Sequence, residues 1–239
     1  MIIKKVAADI GNDFKKASSA EAKRSIERFF SEKIKCHGVK SAGAAKIARK
    51  YLPQIKSLEK KQIFALCEEL FKSGYCEESL LAGRWAARIH KDFLPGDFKF
   101  FENWVKKYID NWAECDTFCN HAVGSFIIRY PEYIGRLKKW TKSRNRWVRR
   151  AAAVSLVVPA RRGMFLRDVF EIADSLLSDK DDMVQKGYGW MLKEASRLHT
   201  EEVFKFVSAH KDKMPRTALR YAIELMPKEL RKKAMARPS

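Results

Sequence analysis

The stretch from residue 144 to residue 158 holds the side chains best suited to bind a charged partner. Its first half is basic and aromatic, and its second half is small and apolar. Arginine binds phosphate oxygens through paired hydrogen bonds, and Arg149 and Arg150 stand side by side near the start of a predicted helix. One apolar stripe of that helix is formed by Val148, Ala151, Ala152 and Ser155. We therefore expect both arginines to project from an otherwise buried helix toward an anionic polymer.

The charge of the whole chain also favours an anionic partner. The 239 residues include 49 Lys and Arg against 29 Asp and Glu, which gives a formal charge of +20 at pH 7. Hydrophobic residues make up 46% of the chain, so the charge belongs to a folded body and not to a disordered tail. Nucleic acid is the partner that this combination favours. An anionic membrane surface and a simply solvated basic surface are the alternatives.

Residues 1–10 lack the apolar core of a signal peptide, and the longest apolar run, at 151–158, is too short to span a bilayer. The cysteines are odd in number and fit no disulfide framework, so we expect free thiols. They are Cys36, Cys67, Cys76, Cys115 and Cys119. Four convergent metal ligands are not found, and we expect neither a metal nor a cofactor. A cytoplasmic, nucleoid-associated monomer without membrane contacts is predicted.

Helical spacing of apolar residues runs through the chain and predicts an all-α protein. Sustained alternation of apolar and polar residues, which is typical of strands, is nearly absent. The run from Ser18 to Glu21 resembles a capping box and predicts a helix that continues to Phe30. Pro53 predicts the end of another helix, which begins near Ala42.

The predicted helices recur in pairs. The inner apolar residue of each second helix is Leu81, Phe118, Val148, Val184 or Ala218, at spacings of 37, 30, 36 and 34 residues. Two residues after these anchors stand Gly83, Asn120, Arg150, Lys186 and Arg220. A period of about 30–45 residues with two helices per repeat is typical of HEAT-like repeats. We predict that residues 1–239 form one domain, an α-α superhelix (solenoid). An ordinary helical domain with accidental spacing is the alternative.

Three segments of the C-terminal half carry a family resemblance. They are Asn111 to Asn120, Trp147 to Ala152 and Val184 to Glu194. Together they resemble the DNA alkylation repair family, the AlkD-type alkylpurine DNA glycosylases, and the N-terminal half fits more loosely through Gly38 to Ser41. The resemblance implies a C-shaped solenoid whose basic concave face holds duplex DNA, mainly by its phosphate backbone. It also implies hydrolysis of the N-glycosidic bond of N3- and N7-alkylated purines, without a deep pocket for the base.

The resemblance assigns roles to individual residues. The family's key arginine falls on Arg150, and one of its two pocket tryptophans falls on Trp190. The other tryptophan falls near Cys115 by strict alignment, and Trp112 lies one turn earlier. The residues expected to support DNA binding around them are Arg149, Lys186 and Lys193.

The family's catalytic aspartate falls on Cys119, which departs from the family pattern and puts the usual catalytic route in doubt. Asp116 precedes Cys119 by three residues and so lies on about the same helix face. It is the nearest carboxylate that could replace the missing one. We therefore expect Asp116 to be the catalytic residue and Cys119 to lie beside the lesion.

The chemistry of such a site is simple because an alkylated purine is already a cation. The base leaves neutral, so no general acid is needed. A carboxylate near the sugar can stabilise the developing oxocarbenium ion and orient a water molecule. Indole rings add cation–π attraction of about 0.5–2 kcal/mol. This chemistry assigns the carboxylate role to Asp116, and the indole rings to Trp112 and Trp190.

Each of these residues also has a purely structural interpretation. Asp116 could cap a helix, and Trp112 and Trp190 could belong to the core. Two other functions therefore stay open. One is a non-catalytic HEAT-repeat protein that recognises damaged or branched DNA, which the departure at Cys119 favours. The other is a HEAT-type scaffold for an acidic protein.

Overall fold

The computed structural model describes residues 2–236, and every regular element within them is a helix. The prediction of an all-α protein is therefore confirmed. Residue contacts divide the chain into two compact units, one ending at Phe118 and the other beginning at Cys119. The single domain, the solenoid shape and the basic concave face stay predictions.

Seven of the sixteen α-helices found in residues 2–236 lie in the first unit. They are α1 (Ile2–Lys16), α2 (Ala20–Glu27), α3 (Ser41–Lys56), α4 (Lys60–Lys72), α5 (Cys76–Arg88), α6 (Phe98–Lys107) and α7 (Trp112–Phe118). Within this unit α5 packs against both α4 and α7. The helices α4 and α6 are the first members of two pairs, and α5 and α7 are the second members.

The second unit begins with a π-helical segment, Cys119–Val123, and contains nine further α-helices. They are α8 (Gly124–Arg129), α9 (Ile134–Trp140), α10 (Arg146–Val154), α11 (Val157–Arg161), α12 (Leu166–Ser175), α13 (Asp182–Ala195), α14 (Thr200–His210), α15 (Arg216–Ala222) and α16 (Lys228–Met235). Here α13 packs against α10 on one side of the series and against α15 on the other. None of the helices in residues 2–236 is long and apolar enough to cross a membrane.

Side-chain caps explain where several helices begin. The Ser19 side chain accepts a hydrogen bond from the backbone N–H of Ala22 at 3.1 Å, as expected for the start of α2. Asn145 caps α10 by accepting from Trp147 N–H at 2.8 Å. The start predicted for α2 is confirmed, but the predicted capping box does not form, because the third residue after Ser19 is Ala22, which has no polar side chain. The helix ends at Glu27 and does not reach Phe30.

The prediction that Pro53 ends its helix is wrong, because α3 continues through it to Lys56. Proline lacks the N–H that would bond to the carbonyl four residues earlier, but Pro53 is exposed, where water can satisfy that carbonyl. Continuing the helix buries Ile55, which is 2% exposed and extends the inner stripe of Ile47 and Tyr51. Burial of one more large apolar residue offsets the loss of one exposed hydrogen bond.

The first residues of the second helices reveal a more regular repeat than the sequence predicts. They are Cys76, Trp112, Arg146, Asp182 and Arg216, at spacings of 36, 34, 36 and 34 residues. The anchors Val148, Val184 and Ala218 are all the third residue of their helix. The anchors Leu81 and Phe118 are buried but stand at the sixth and seventh residues, so their predicted register is wrong.

The cause of this error is a buried carboxylate in each of the first two repeats. The third residues of α5 and α7 are Glu78 and Glu114, which are 5% and 2% exposed. Because the repeat was aligned on apolar residues, these two glutamates were not recognised as inner positions. The hydrophobic residues that follow them, Leu81 and Phe118, were aligned instead. The corrected register places Asp116 at the same position in its helix as Arg150, in place of Asn120.

Two glycines let neighbouring helices approach one another closely. A Cβ atom on Gly189 of α13 would lie 2.7 Å from Cβ of Tyr221 and 2.8 Å from the carbonyl oxygen of Ala218 on α15. A Cβ atom on Gly124 of α8 would lie 3.0 Å from the carbonyl oxygen of Ser155. Backbone therefore lies directly against backbone at both contacts.

Replacing Gly189 by Ala is expected to lower the free energy of unfolding by about 1–3 kcal/mol, because the new methyl group would overlap the backbone of α15. A matched control is Gly135→Ala in α9, where a Cβ atom would meet nothing within 4 Å. That control should be neutral or stabilise by about 0.4–1 kcal/mol. Urea unfolding of both variants makes the comparison, and equal stabilities would contradict the close packing of α13 on α15.

Candidate nucleic-acid interface

Counted from the first residue of each second helix, positions 1, 5 and 9 share one face because four residues make about one helical turn. We call this stripe of each second helix its site face. In the first unit it comprises Cys76, Leu80, Arg84, Trp112 and Asp116. In the second unit it comprises Arg146, Arg150, Val154, Asp182, Lys186, Trp190, Arg216 and Arg220. The sequence-predicted residues on it are Trp112, Asp116, Arg150, Lys186 and Trp190, while Arg149, Lys193 and Cys119 lie off it.

In the first unit, Trp112 opens α7 and is partly exposed. Its indole stacks on Phe30 with 5.3 Å between ring centroids and an angle of 24° between the planes. Asp116 follows one turn later and is also partly exposed. The helix is capped by Asn111, whose side chain accepts from the backbone N–H of Glu114 at 3.1 Å. Since Asn111 is the cap, the alternative of Asp116 as an N-cap is wrong.

Cys119 occupies the first position of the π-helical segment, and its side chain is fully buried. Cys115, the strict alignment position of the second pocket tryptophan, is fully buried as well. Neither thiol has an exposed surface with which to contact DNA. Of the site residues predicted between Trp112 and Cys119, the partly exposed ones are therefore Trp112 and Asp116.

Arg150 does not project to the surface as the sequence predicts. It is 5% exposed, and its guanidinium donates a hydrogen bond to the backbone carbonyl of Met183 at the start of α13. Its Cγ lies close to Gly187, where a Cβ atom would be 3.2 Å away. The space beside Gly187 therefore accommodates the stem of Arg150. Arg150 joins α10 to α13, and its positive charge is buried between these two helices.

Arg149 forms a two-pronged ion pair with Asp179, with nitrogen-to-oxygen distances of 2.6 and 3.2 Å. Its remaining nitrogen donates to the carbonyls of Ser143 and Arg144, at 3.0 and 3.1 Å. These bonds tie the turn before α10 to the turn before α13. Arg149 thus fixes the positions of two turns, which is a structural task alongside any contact with DNA.

The predicted residues on α13 are also engaged with neighbours. Lys186 pairs with Asp182 at 2.6 Å, and Lys193 pairs with Glu224 at 3.2 Å. The partly exposed Trp190 donates from its indole nitrogen to Glu194 at 3.3 Å. Glu194 is buried, and two arginine partners hold the pKa of its carboxyl below the usual value although burial opposes them. The Trp190 ring is therefore held in one orientation by a charged acceptor.

Exposed cations in the turns before the second helices were not predicted. Lys142 and Arg144 precede α10, and Lys180 precedes α13. Because Arg149 bridges these two turns, their exposed cations lie on neighbouring turns of the second unit. The helix starts that follow add partial positive charge from their backbone N–H groups. The signal in the sequence is a Lys or Arg within three residues before the caps of α10 and α13, Asn145 and Asp181.

Glu114 is a second feature that sequence reasoning missed. Its carboxyl is almost fully buried, and burial together with the neighbouring charge of Asp110 raises its pKa to about 8. The same position in α5 holds Glu78, whose carboxylate lies 2.7 Å from the His37 ring. Both carboxyls face the interior of the first unit and are separate from Asp116.

The five cysteines are free thiols, as predicted, and all of them are buried, which contradicts the expectation that Cys119 lies beside the lesion. Burial raises the pKa of Cys67 to about 12, so that thiol stays protonated. Among the residues that the structure describes, no group of three or more His, Cys, Asp or Glu side chains converges as a metal site.

The model of the family described as DNA alkylation repair enzyme matches residues 10–226, which cover nearly the whole chain. The chain belongs to this family. Membership confirms the resemblance seen in the sequence. In a comparison of sequences with the curated proteins, none matches this chain.

Solved structures show that the fold recurs. A predicted DNA alkylation repair enzyme from Enterococcus faecalis superimposes with a TM-score of 0.78 at 14% identity, over 88% of this chain and 97% of that one. The protein smu.31 from Streptococcus mutans gives 0.53 at 20% identity, over 82% and 98%. The alkylpurine DNA glycosylase AlkC from Pseudomonas fluorescens, bound to DNA with an abasic site analog, gives 0.55 at 15%, over 97% and 66%. At these identities the likeness concerns the fold.

Proposed function

We propose that the protein repairs alkylated duplex DNA by hydrolysing the N-glycosidic bond of N3- and N7-alkylated purines. The observation that carries the proposal is the register of the second helices, in which Asp116, Arg150 and Lys186 all take position 5. Trp112 precedes Asp116 by one turn on α7, and Trp190 follows Lys186 by one turn on α13. Family membership supports the substrate class, and the DNA complex of AlkC supports duplex DNA as the partner. Binding as a monomer, in the cytoplasm, is part of the same proposal.

Asp116 is the proposed catalytic residue. Its partly exposed carboxylate follows Trp112 by one turn, so an aromatic face and a negative charge are presented by the same helix. The carboxylate stabilises the positive charge that develops on the deoxyribose as the base leaves, and it orients the water molecule that attacks C1′. The alkylated base departs neutral, and the reaction needs no general acid.

The second unit supplies the positive charge that binds the phosphate backbone. Arg150 and Lys186 share position 5, and Lys142, Arg144 and Lys180 line the turns beside them. The pairing of Lys186 with Asp182 is a partly exposed contact of little energy, so phosphate can replace the carboxylate. The buried Arg150 contributes through its fixed charge and its hold on α13, and Arg149 and Lys193 support the same surface.

A non-catalytic DNA-binding protein is the second candidate function. The observation that favours it is Cys119, a buried thiol where the resemblance places the family's aspartate. Such a protein would bind duplex DNA with the same salt dependence and release no base. Base release from methylated DNA therefore distinguishes the two functions, and duplex binding tests what they share.

Removing two turn cations together, Lys142→Ala with Lys180→Ala, should weaken duplex binding and make it less dependent on salt. The logarithm of the association constant falls linearly with the logarithm of the salt concentration, by roughly 0.9 per phosphate contact. Loss of two contacts should therefore reduce the magnitude of this slope by about 1.8. Fluorescence anisotropy titrations of one duplex at several salt concentrations measure the slope.

A matched double variant carries the same loss of charge elsewhere. Arg162 follows α11 and Lys205 lies in the middle of α14, and both are exposed. Arg162→Ala with Lys205→Ala should leave the slope within about 0.5 of the wild-type value. Equal losses in the two double variants would show a diffuse attraction without a defined surface and would overturn the assignment of the turns.

A further inference from the structure

A cavity of about 320 Å³ lies in the first unit, on the side of α5 that carries the site face. Most of its lining is apolar. The aromatic members are Phe14, Phe29 and Phe30, and the aliphatic ones include Ile26, Val39 and Leu81. Its volume is at the lower end of the range of about 300–1,000 Å³ that is typical of small-ligand sites.

Phe29 in this lining is 74% exposed, which is unusual for so large an apolar side chain beside a cavity. Its neighbour Phe30 also lines the cavity and stacks on Trp112, with 5.3 Å between ring centroids. Besides the buried Phe14, two adjacent aromatic rings thus line the cavity, and one of them contacts Trp112 of the site face. Flat aromatic surfaces of this kind stack on nucleobases irrespective of their sequence.

The register of α5 places the cavity on the proposed DNA-binding side. All three residues of the site face in this helix, Cys76, Leu80 and Arg84, line the cavity. In α7, the next second helix of the same unit, position 5 holds the carboxylate of Asp116. In α5 that position holds Leu80, so the site face of this helix is apolar beside the cavity.

The charges around the cavity suit a phosphate. Arg84 is exposed, and Lys40 holds only a surface ion pair with Glu21, at 3.4 Å between exposed side chains. The carboxylate of Glu77 in the lining accepts hydrogen bonds from three backbone N–H groups. The donors are His37, Gly38 and Val39, at 2.9, 2.9 and 3.1 Å. Its negative charge is thereby stabilised within the protein.

We propose that this cavity binds one unstacked nucleobase of the bound DNA, with its ring against Phe29 and Phe30 and its phosphate on Arg84. The inference rests on the proposed function, because it requires DNA on the site face. An unpaired nucleotide is the preferred occupant, since no base pair has to be broken to place it in the cavity. The protein is therefore expected to prefer DNA with an unpaired nucleotide over a fully paired duplex.

The test compares a paired duplex with the same duplex carrying one bulged 2-aminopurine. Wild-type protein should bind the bulged duplex roughly tenfold more tightly, and the 2-aminopurine emission should change on binding as the base enters a stacked environment. Phe29→Ala and Arg84→Ala should each lose most of this preference. Both residues are exposed, so the variants should fold.

Matched controls are Phe100→Ala, which truncates another exposed phenylalanine of the first unit, and Arg88→Ala, one turn after Arg84 on α5. Both should keep the preference. Equal binding of the two duplexes by wild-type protein, or a preference that survives Phe29→Ala, would overturn the inference. If the paired duplex still binds in a salt-dependent way, only the inference fails. If neither duplex binds, the proposed function fails with it.

Discussion

Replacing Asp116 by Asn is expected to slow the release of N3- and N7-methylated purines from duplex DNA by roughly 10²–10³-fold. The substitution keeps the size of the side chain and removes its negative charge. The oxocarbenium-like sugar then loses the group that stabilises it, and the attacking water loses its acceptor. Binding of undamaged duplex should change little, because phosphate contacts come from the cations.

The comparison is made with single-turnover release rates and with duplex affinities on the same preparations. Asp92→Asn is the matched control, since it removes an exposed carboxylate of the first unit that lies outside the second helices. The control should release bases at the wild-type rate. Release at the wild-type rate by Asp116→Asn would assign the carboxylate role to another residue.

Glu114 should make the protein less stable as the pH rises. Its pKa is raised from 4.5 to about 8, so the folded state binds a proton that the unfolded state releases. The free energy of unfolding therefore falls as pH increases from about 4.5 to about 8 and levels off above that. At about 1.4 kcal/mol per pKa unit, the total loss approaches about 5 kcal/mol.

The variant Glu114→Gln should remove most of this dependence. Glutamine is neutral at every pH and fits the space of a protonated glutamate, so the variant should be the more stable protein at pH 9 and similar to wild type at pH 5. Urea unfolding across this range measures the effect, with the exposed Glu132→Gln as the control. A parallel decline in wild type and Glu114→Gln would show that other groups bind the proton.

The helical class and most inner residues could be predicted from spacing alone. Val148, Val184 and Ala218 are apolar residues at the third position of their helices, and each is at most 1% exposed. The first repeats could not be read in the same way. There the third position holds Glu78 or Glu114, and a pattern that equates burial with apolar side chains passes over them.

The candidate residues on the site face were found by type and spacing, but their surroundings were not. Arg150 was expected at the surface, and only the packing of α10 on α13 shows that Gly187 leaves room for its buried stem. Gly189 stands next to Trp190 in the sequence, and the structure shows that it brings α13 against the backbone of α15. A glycine in a sequence signals close approach without revealing the partner.

The cavity beside α5 shows a similar limit. Its lining comes from segments far apart in the chain, among them Phe29, Lys40 and Arg84. No local pattern joins them, because the contacts depend on how α2 and α3 meet α5. The sequence places Phe29 and Phe30 side by side, but the predicted helix runs through both residues. In the structure α2 ends at Glu27, which leaves Phe29 exposed after the helix.

The glycosylase function is tested most directly by single-turnover release of bases from a duplex treated with a methylating agent, using wild-type protein in excess over DNA. We expect release of 3-methyladenine and 7-methylguanine well above the spontaneous rate, with none from untreated duplex. The glycosylase function would be contradicted if bases were released only at the spontaneous rate while the protein bound the same duplex tightly and in a salt-dependent way. That result would leave a DNA-binding protein on the same fold.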